Sequence, residues 1–299
     1  MRHLLPYTYI EEIARAGSIR KASETLAITP SALNRRLLAI EDELGVAIFE
    51  RLASGVRLNT AGEILLKHIR NQMSDLERVK SQIADLSGQR RGSVTIAVSP
   101  ELTRGFLPQQ VQTYQREFPG VVFQINRRYR DEVETALTDF TADIAFILEP
   151  TKLAEFQTVH TITQPVYCLM EADHPLANND VLRLYECAEF PLLLQGPQWG
   201  IRHLLDQAAV RLGLNLRPVI QSDTREFLDD YKRQYLQLSF DIPINLENHS
   251  DMVAIPLSTT DIPAGTLFIG YLKGRTLPVA AARFLEQATT EIAAQFMQG

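Results

Sequence analysis

Residues 16–66 read AGSIRKASETLAITPSALNRRLLAIEDELGVAIFERLASGVRLNTAGEILL, and this stretch decides the architecture. Before it, Leu4, Leu5, Ile10, Ile13 and Ala14 recur at helical spacing, and Gly17 suits the end of that helix. Ser18 can cap a second helix over 19–26, with Ala22 and Leu26 facing inward four residues apart. After Ala27-Ile28, Thr29 is placed to cap a third helix, and Pro30 takes its first position, where a missing N–H costs nothing. Leu33, Leu37, Ile40 and Leu44 then share one face, and Gly45 stops the helix. Two short helices joined by a tight turn, the second strongly capped, make a helix-turn-helix.

The exposed start of the second of these helices offers Ser31, Asn34, Arg35 and Arg36, and with the helix-start residues Ser18, Thr29 and Pro30 these are the candidate DNA-binding positions. Ser and Asn are short enough to meet base edges, while Arg reaches a phosphate or a guanine edge. Isolated arginines read more simply as a solvated face; short polar and basic residues together at a capped helix start point to DNA. Val46–Phe49 and Val56–Leu58, around Ser54-Gly55, predict a two-stranded wing, with Arg51 and Arg57 placed to grip the backbone beside the groove. Thr60 is expected to cap the helix that follows.

With these residues in hand, 1–65 resembles the winged helix-turn-helix of LysR-type transcriptional regulators. Gly17-Ser18, Ala22-Ser23, Leu26, Thr29, Ser31-Ala32, Arg35, the run from Ile40 to Gly45, Phe49-Glu50-Arg51 and the run from Leu58 to Gly62 stand where that family has them. One departure is Pro30, where the family commonly has glutamine. Proline makes no base-edge hydrogen bond, so the base preference of other members does not carry over.

Ile69, Met73, Leu76, Val79, Ile83 and Leu86 trace a near-heptad stripe along a long helix that ends in the polar stretch Ser87 to Gly92. Such a stripe either packs on its own domain or pairs with a second copy; its length and place between two domains favour pairing. The expected domains are 1–60, a winged helix-turn-helix, 61–91, a dimerising linker helix, and 92–299, an effector domain. The fold class is α/β behind an all-α DNA-binding head.

From Ser93 onward strands and helices alternate: strands over 93–99, 121–125, 143–148, 165–170, 190–194, 219–222 and 267–271, helices between them and at the end. This predicts an α/β fold with a largely parallel sheet, whose ligands gather at the carboxyl ends of strands. Leu107-Pro108, the run from Phe118 to Val121, the run from Ala142 to Ala145, the run from His174 to Ala177, Phe190-Pro191-Leu192 and Gly200-Ile201-Arg202 resemble the effector region of the same family. That resemblance implies two periplasmic-binding-protein-like lobes, 92–162 with 268–299 and 163–267, and an effector in the cleft. Carried over position by position, Ser99, Pro100 and Thr103 follow the first strand, Arg128-Tyr129-Arg130 the second, and Gln195, Trp199 and Arg202 the strand of the second lobe. Hydroxyls and arginines suit a small organic acid, and the two aromatics suit an apolar body. Equally, the arginines can be surface charges and Trp199 lobe core. Asp241, in a stretch from Tyr235 to Ile244 where the family has a glycine-rich turn, would repel an acid or accept from an amine or hydroxyl.

Composition sets the bounds. The 299 residues carry a net charge of −6, split between 13 Lys/Arg and 11 Asp/Glu over 1–90 and 17 against 25 over the rest, consistent with a DNA-facing N-terminal part. Glu11, Glu12 and Arg15 interrupt any signal-peptide core, no run is long enough to span a membrane, and Cys168 and Cys187 read as free thiols of a reducing cytoplasm. Six scattered histidines and the lack of nucleophile or phosphate-loop motifs argue against an enzyme and against a bound metal or cofactor. A solute-binding protein with an idle helix-turn-helix ranks below a regulator. The expected partners are a partly palindromic DNA duplex, a small-molecule effector, a second copy or a tetramer, and RNA polymerase if the protein activates.

Overall fold

The computed structural model describes residues 5–86, 91–231, 236–249 and 251–296. Leu4, linker residues 87–90 and Tyr235 lie outside them, as does the side chain of Leu86. The chain divides into two compact units, Met1–Glu77 and Arg78–Gly299.

In the first unit, α1 (Leu5–Ala16), α2 (Ile19–Thr25) and α3 (Pro30–Leu44) precede the hairpin β1 (Phe49–Leu52) and β2 (Gly55–Leu58), and α4 (Thr60–Leu86) begins there. Tyr9, Ile10, Ile13, Ala22, Leu33, Leu37, Ile48, Phe49, Leu66 and Ile69 form its core. Ser18 and Thr29 cap as expected, accepting from Lys21 N at 3.5 Å and Ala32 N at 3.3 Å. Three expectations need correction. Leu5 and Leu44, at the outer ends of their helices, are exposed. The first wing strand starts at Phe49, because Ile48 and Phe49 turn their N–H groups to the Glu41 carboxylate, so Val46 and Ala47 precede the ladder. Asn59, not Thr60, caps α4: its Oδ1 accepts from Gly62 N at 2.9 Å, while Thr60 is already helical.

The second unit holds two lobes. The first is a five-stranded sheet of order β4-β3-β5-β12-β6, comprising β3 (Arg91–Val98), β4 (Gly120–Arg127), β5 (Ile144–Leu148), β6 (Phe156–Gln164) and β12 (Gly265–Leu272). The strands β3, β4 and β5 are mutually parallel, and β12 runs against both its neighbours. Helices α5 (Phe106–Glu117), α6 (Val133–Thr138) and α10 (Val279–Phe296) flank it. Every residue of β5 is buried, because Ile144, Phe146 and Leu148 enter the main core while Ala145 and Ile147 enter a second cluster on the other face. Tyr114 and Phe284 meet edge-to-face at 5.6 Å and fasten α5 to α10.

The second lobe places β7 (Tyr167–Met170) between β10 (Ser239–Asp241) and β11 (Val253–Pro256), all antiparallel. A parallel pair, β8 (Leu192–Gln195) and β9 (Pro218–Ser222), joins them through a bridge from Leu192 to Leu238. Helices α7 (Leu184–Cys187), α8 (Gly200–Leu212) and α9 (Arg225–Asp230) complete it. The first lobe's sheet extends to Gln164 and resumes at Gly265, a few residues inside the expected crossovers. Cys168 and Cys187 are buried free thiols with Sγ atoms 4.0 Å apart.

Candidate functional site

The N-terminal turn of α3 presents Ser31 and Arg35 to solvent, with Asn34 half-buried behind them. Arg35 makes no hydrogen bond or ion pair among the described residues, so its guanidinium is uncommitted. Arg36 is held differently: its Nη1 donates to the Tyr9 hydroxyl and its guanidinium lies 4.8 Å above the Tyr9 ring. That contact ties α3 to α1 and leaves Arg36 only partly available to a phosphate.

The wing is fixed to the helices through backbone N–H groups of its strands and of the residue before them. Val56 N donates to Gly17 O at 2.9 Å, and Glu41 Oε1 accepts from Ile48 N at 2.7 Å and from Phe49 N at 3.3 Å. Sequence does not single out Glu41, which reads there as one acid in a run of three. Arg51 reaches back to Asn34 Oδ1 at 3.4 Å, which places the wing arginine beside the α3 face. Arg57 sits opposite Glu50 in the hairpin and pairs with it at 3.0 Å, both exposed. Such an exposed pair is weakly held and can be exchanged for a phosphate.

At the lobe junction the residues expected to bind effector fall into two groups. Arg128 donates to its neighbour's carbonyl, Arg127 O, and Tyr129 N to Glu132 Oε2, at the margin of the first lobe. Arg130 donates through Nε to Glu149 O; burial lowers its pKa, against the pull of Glu149 and Glu101. Arg202 is spent on Asp206, Gln195 O and Gln221. These arginines do not converge on one anion.

The second group does meet. Ser99 and Pro100 are buried; Ser99 Oγ accepts from Leu148 N at 3.2 Å, while Thr103 bonds back to Pro100 O. Next to them the fully buried Glu101, which sequence does not single out, crosses to the second lobe. Its Oε1 accepts from Gly200 N at 2.6 Å and Ile201 N at 3.3 Å, the first amides of α8. The preceding residue, Trp199, is the N-cap of α8 and has no side chain able to cap it, so Glu101 caps the helix from the other lobe. Gly200 is needed there: a Cβ would lie 2.9 Å from Leu148 O. Burial pushes the Glu101 carboxyl upward, partly opposed by backbone amides, those of α8 among them, and by Ser99.

Asn245 Nδ2 donates to Glu101 O at 2.9 Å and to Asp241 Oδ1 at 2.8 Å. Asp241 is also bonded to Arg225 and, at 2.8 Å, to His249 Nε2, and its Oδ1 also accepts from Ile242 N. Burial alone would raise this carboxyl; Arg225 and His249 more than reverse that and hold it well below the usual carboxylate range. Asp241 is therefore committed to an internal ion pair rather than open to a ligand, a correction to its expected role. Arg225, Asn245 and His249 escape a reading of the sequence, because each is too far along the chain from its partners to suggest the network. An open groove of about 660 Å³ along α8, between Leu204, Arg211 and Ala264, contains none of the residues expected to bind effector.

Residues 7–63 match the family model described as bacterial regulatory helix-turn-helix protein, lysR family, and residues 87–293 match that of the LysR substrate binding domain. The RuBisCO operon transcriptional regulator of Allochromatium vinosum is 25% identical over 95% of this chain and 94% of its own. The HTH-type transcriptional activator CmpR of Synechocystis sp. is 24% identical over 92% and 90%. Among solved structures, a full-length OxyR variant from Pseudomonas aeruginosa covers 97% of this chain and 94% of its own, at a TM-score of 0.72 and 20% identity. Full-length CbnR in complex with its target DNA covers 96% and 99%, at a TM-score of 0.62 and 17% identity.

Proposed function

The chain belongs to the LysR family of bacterial helix-turn-helix regulators, and from that premise we propose how its residues divide the work of a DNA-binding, effector-controlled transcription regulator. The protein is a regulator and not an enzyme. On our reading α3 enters the major groove, with Ser31, Asn34 and Arg35 toward base edges. Arg51 and Arg57 of the wing, with Arg36 in support, take the phosphates, and Ser18, Thr29 and Pro30 fix the helix starts. The observation that carries this is the uncommitted, exposed Arg35 on the first turns of a capped helix, with Arg51 held beside it through Asn34.

The exposed half of the α4 stripe pairs with a second copy, so two recognition helices meet a partly palindromic operator, and two dimers can form a tetramer. A small-molecule effector between the lobes changes their closure and so the spacing of the DNA-binding pairs. As an activator the protein would also contact RNA polymerase. No helix among the described residues is long and apolar enough to cross a membrane. A DNA partner argues for the cytoplasm as the working site.

The test is selection of random duplexes on the full-length protein, with Arg35→Ala alongside. Enrichment of a partly symmetric site that Arg35→Ala abolishes is the expected result. Enrichment indifferent to Arg35, or none at low salt, would sink the recognition-helix assignment.

A further inference from the structure

The chain passes between the lobes of the second unit twice. It runs from β6, which ends at Gln164, into β7 at Tyr167, and from β11, which ends at Pro256, back into β12 at Gly265. Two such crossings form a hinge, joining the lobes without fixing how far they close. Closure is then set by the groups that bond across the junction, and three of those bonds meet on one residue. Glu101, in the short turn Pro100–Leu102 after β3, accepts through Oε1 from Gly200 N and Ile201 N of α8. Its carbonyl accepts from Asn245 Nδ2, in the turn Pro243–His249 of the other lobe. A fourth bond, from Ile244 N to Gln164 Oε1 at 3.1 Å, is made by the last residue of β6 at the crossing itself.

A cap that only stabilised α8 would need no partner lobe, since a Ser, Thr, Asp or Asn at position 199 supplies one locally. That position is Trp199, and the acceptor comes from the first lobe instead. The first turn of α8 is thereby complete only while the lobes are together. Gly200 lets this turn sit against β5, where a Cβ would come within 2.9 Å of Leu148 O and of the Leu148 side chain. Glu101 is fully buried, and a buried carboxyl is costly unless it is hydrogen-bonded. Its Oε1 accepts in the same way whether the carboxyl is ionised or neutral, so the upward push of burial on this group leaves the contact in place.

We propose that Glu101 is a latch built into this chain, which keeps the two lobes closed without a ligand, so that an effector acts by loosening this contact rather than by drawing open lobes together. The proposal rests on the regulator reading for its consequence at DNA, while the latch itself can be tested without an operator. A ligand shifts such an equilibrium only by binding one state better than the other, and here the state to be favoured is the unlatched one.

The test reads deuterium exchange over the first turn of α8 in the full-length protein without ligand, with operator binding measured on the same preparations. That turn should be protected in wild type. Glu101→Ala should speed its exchange by about tenfold or more, whereas Glu101→Gln, which keeps an oxygen able to accept both amides, should stay near wild type. Acetate is the fragment that Glu101→Ala removes. In excess over that variant, it should restore protection where chloride at matched ionic strength does not, and it should leave wild type unchanged. Glu101→Ala should also shift operator affinity by about fivefold or more, reversed by acetate. If Glu101→Ala fails to fold, Gly200→Ala parts α8 from Leu148 with Glu101 intact, and should speed exchange in the same turn without rescue by acetate. Fast exchange of this turn in wild type, unchanged exchange in Glu101→Ala, or equal acceleration in Glu101→Gln each overturns the latch. Faster exchange with unchanged operator affinity overturns its regulatory role. Any of these beside intact Arg35-dependent operator binding leaves the regulator reading standing; loss of operator binding by wild type strikes that reading instead.

Discussion

Arg35 and Arg36 are adjacent and identical in kind, yet the fold gives them different work. One step along the helix turns Arg36 toward α1, where Tyr9 holds it, and leaves Arg35 facing out. Sequence supplies both as candidates because it shows a helix face but not what packs beside it. If Arg35 reads a base, Arg35→Ala costs about 1–3 kcal/mol on the specific site and relaxes preference at one position; if it holds a phosphate, affinity falls evenly and the salt slope drops by about one. Quantitative titration on matched and mismatched duplexes at several salt concentrations separates these. Arg36→Ala should show a smaller loss of affinity together with a lower stability. Gly55 is a second residue-level case. Its φ of +145° is one that side chains rarely adopt, and a Cβ there would run into Gly17 O. No side chain fits where the wing docks on the α1–α2 turn. Gly55→Ala should therefore destabilise the N-terminal unit by about 1–3 kcal/mol, measured by denaturant unfolding of the full protein.

At the scale of elements, the helices and the buried strands are legible because their patterns are strong. Thr29-Pro30 marks the start of α3, and the apolar run of β5 admits only a covered strand. The strand β6 is not legible in this way. Its sequence, FQTVHTITQ, lies at the sheet edge with most of its side chains in solvent, so it has no apolar rhythm to read. The short β10 and β11 escape for a similar reason, since each is pinned by pairing with β7 rather than by its own pattern. In the long helix α4 the stripe changes character along its length. Ile69 is buried in the first unit's core, Met73 and Leu76 are half-buried, and Val79 and Ile83 are 41% and 61% exposed. Apolar side chains that continue a heptad into solvent are what a second helix would cover. Val79→Asp with Ile83→Asp should shift the protein toward monomer in sedimentation at micromolar concentration and weaken operator binding by the loss of its two-site grip. Unchanged oligomeric state would remove α4 from the interface.

Taken whole, the molecule carries two kinds of core, and the candidate site is least legible where it depends on both lobes of the larger one. Glu101, Arg225, Asn245 and His249 come from separate parts of the chain and meet only because the second lobe is entered at Gln164 and left at Gly265. No local spacing encodes such a meeting. The N-terminal unit and the larger unit each close their own hydrophobic cluster, so calorimetry should resolve two unfolding transitions. Asp241→Asn should act on one of them. It leaves Arg225 buried beside a neutral amide, at a cost of about 3–5 kcal/mol, which for a unit of this size lowers the midpoint by roughly 10 °C. The pH dependence follows from the depressed Asp241 carboxyl. A group whose folded pKa lies below its unfolded value of about 3.9 stabilises above that pH and loses its contribution as pH falls toward the folded value. The gap between wild type and Asp241→Asn should therefore be full at about pH 6 to 7, by that same linkage, and close progressively below about pH 4. The N-terminal transition should stay the same in both proteins at every pH; a shift in it would show that the Asp241 network reaches beyond the effector domain's own core.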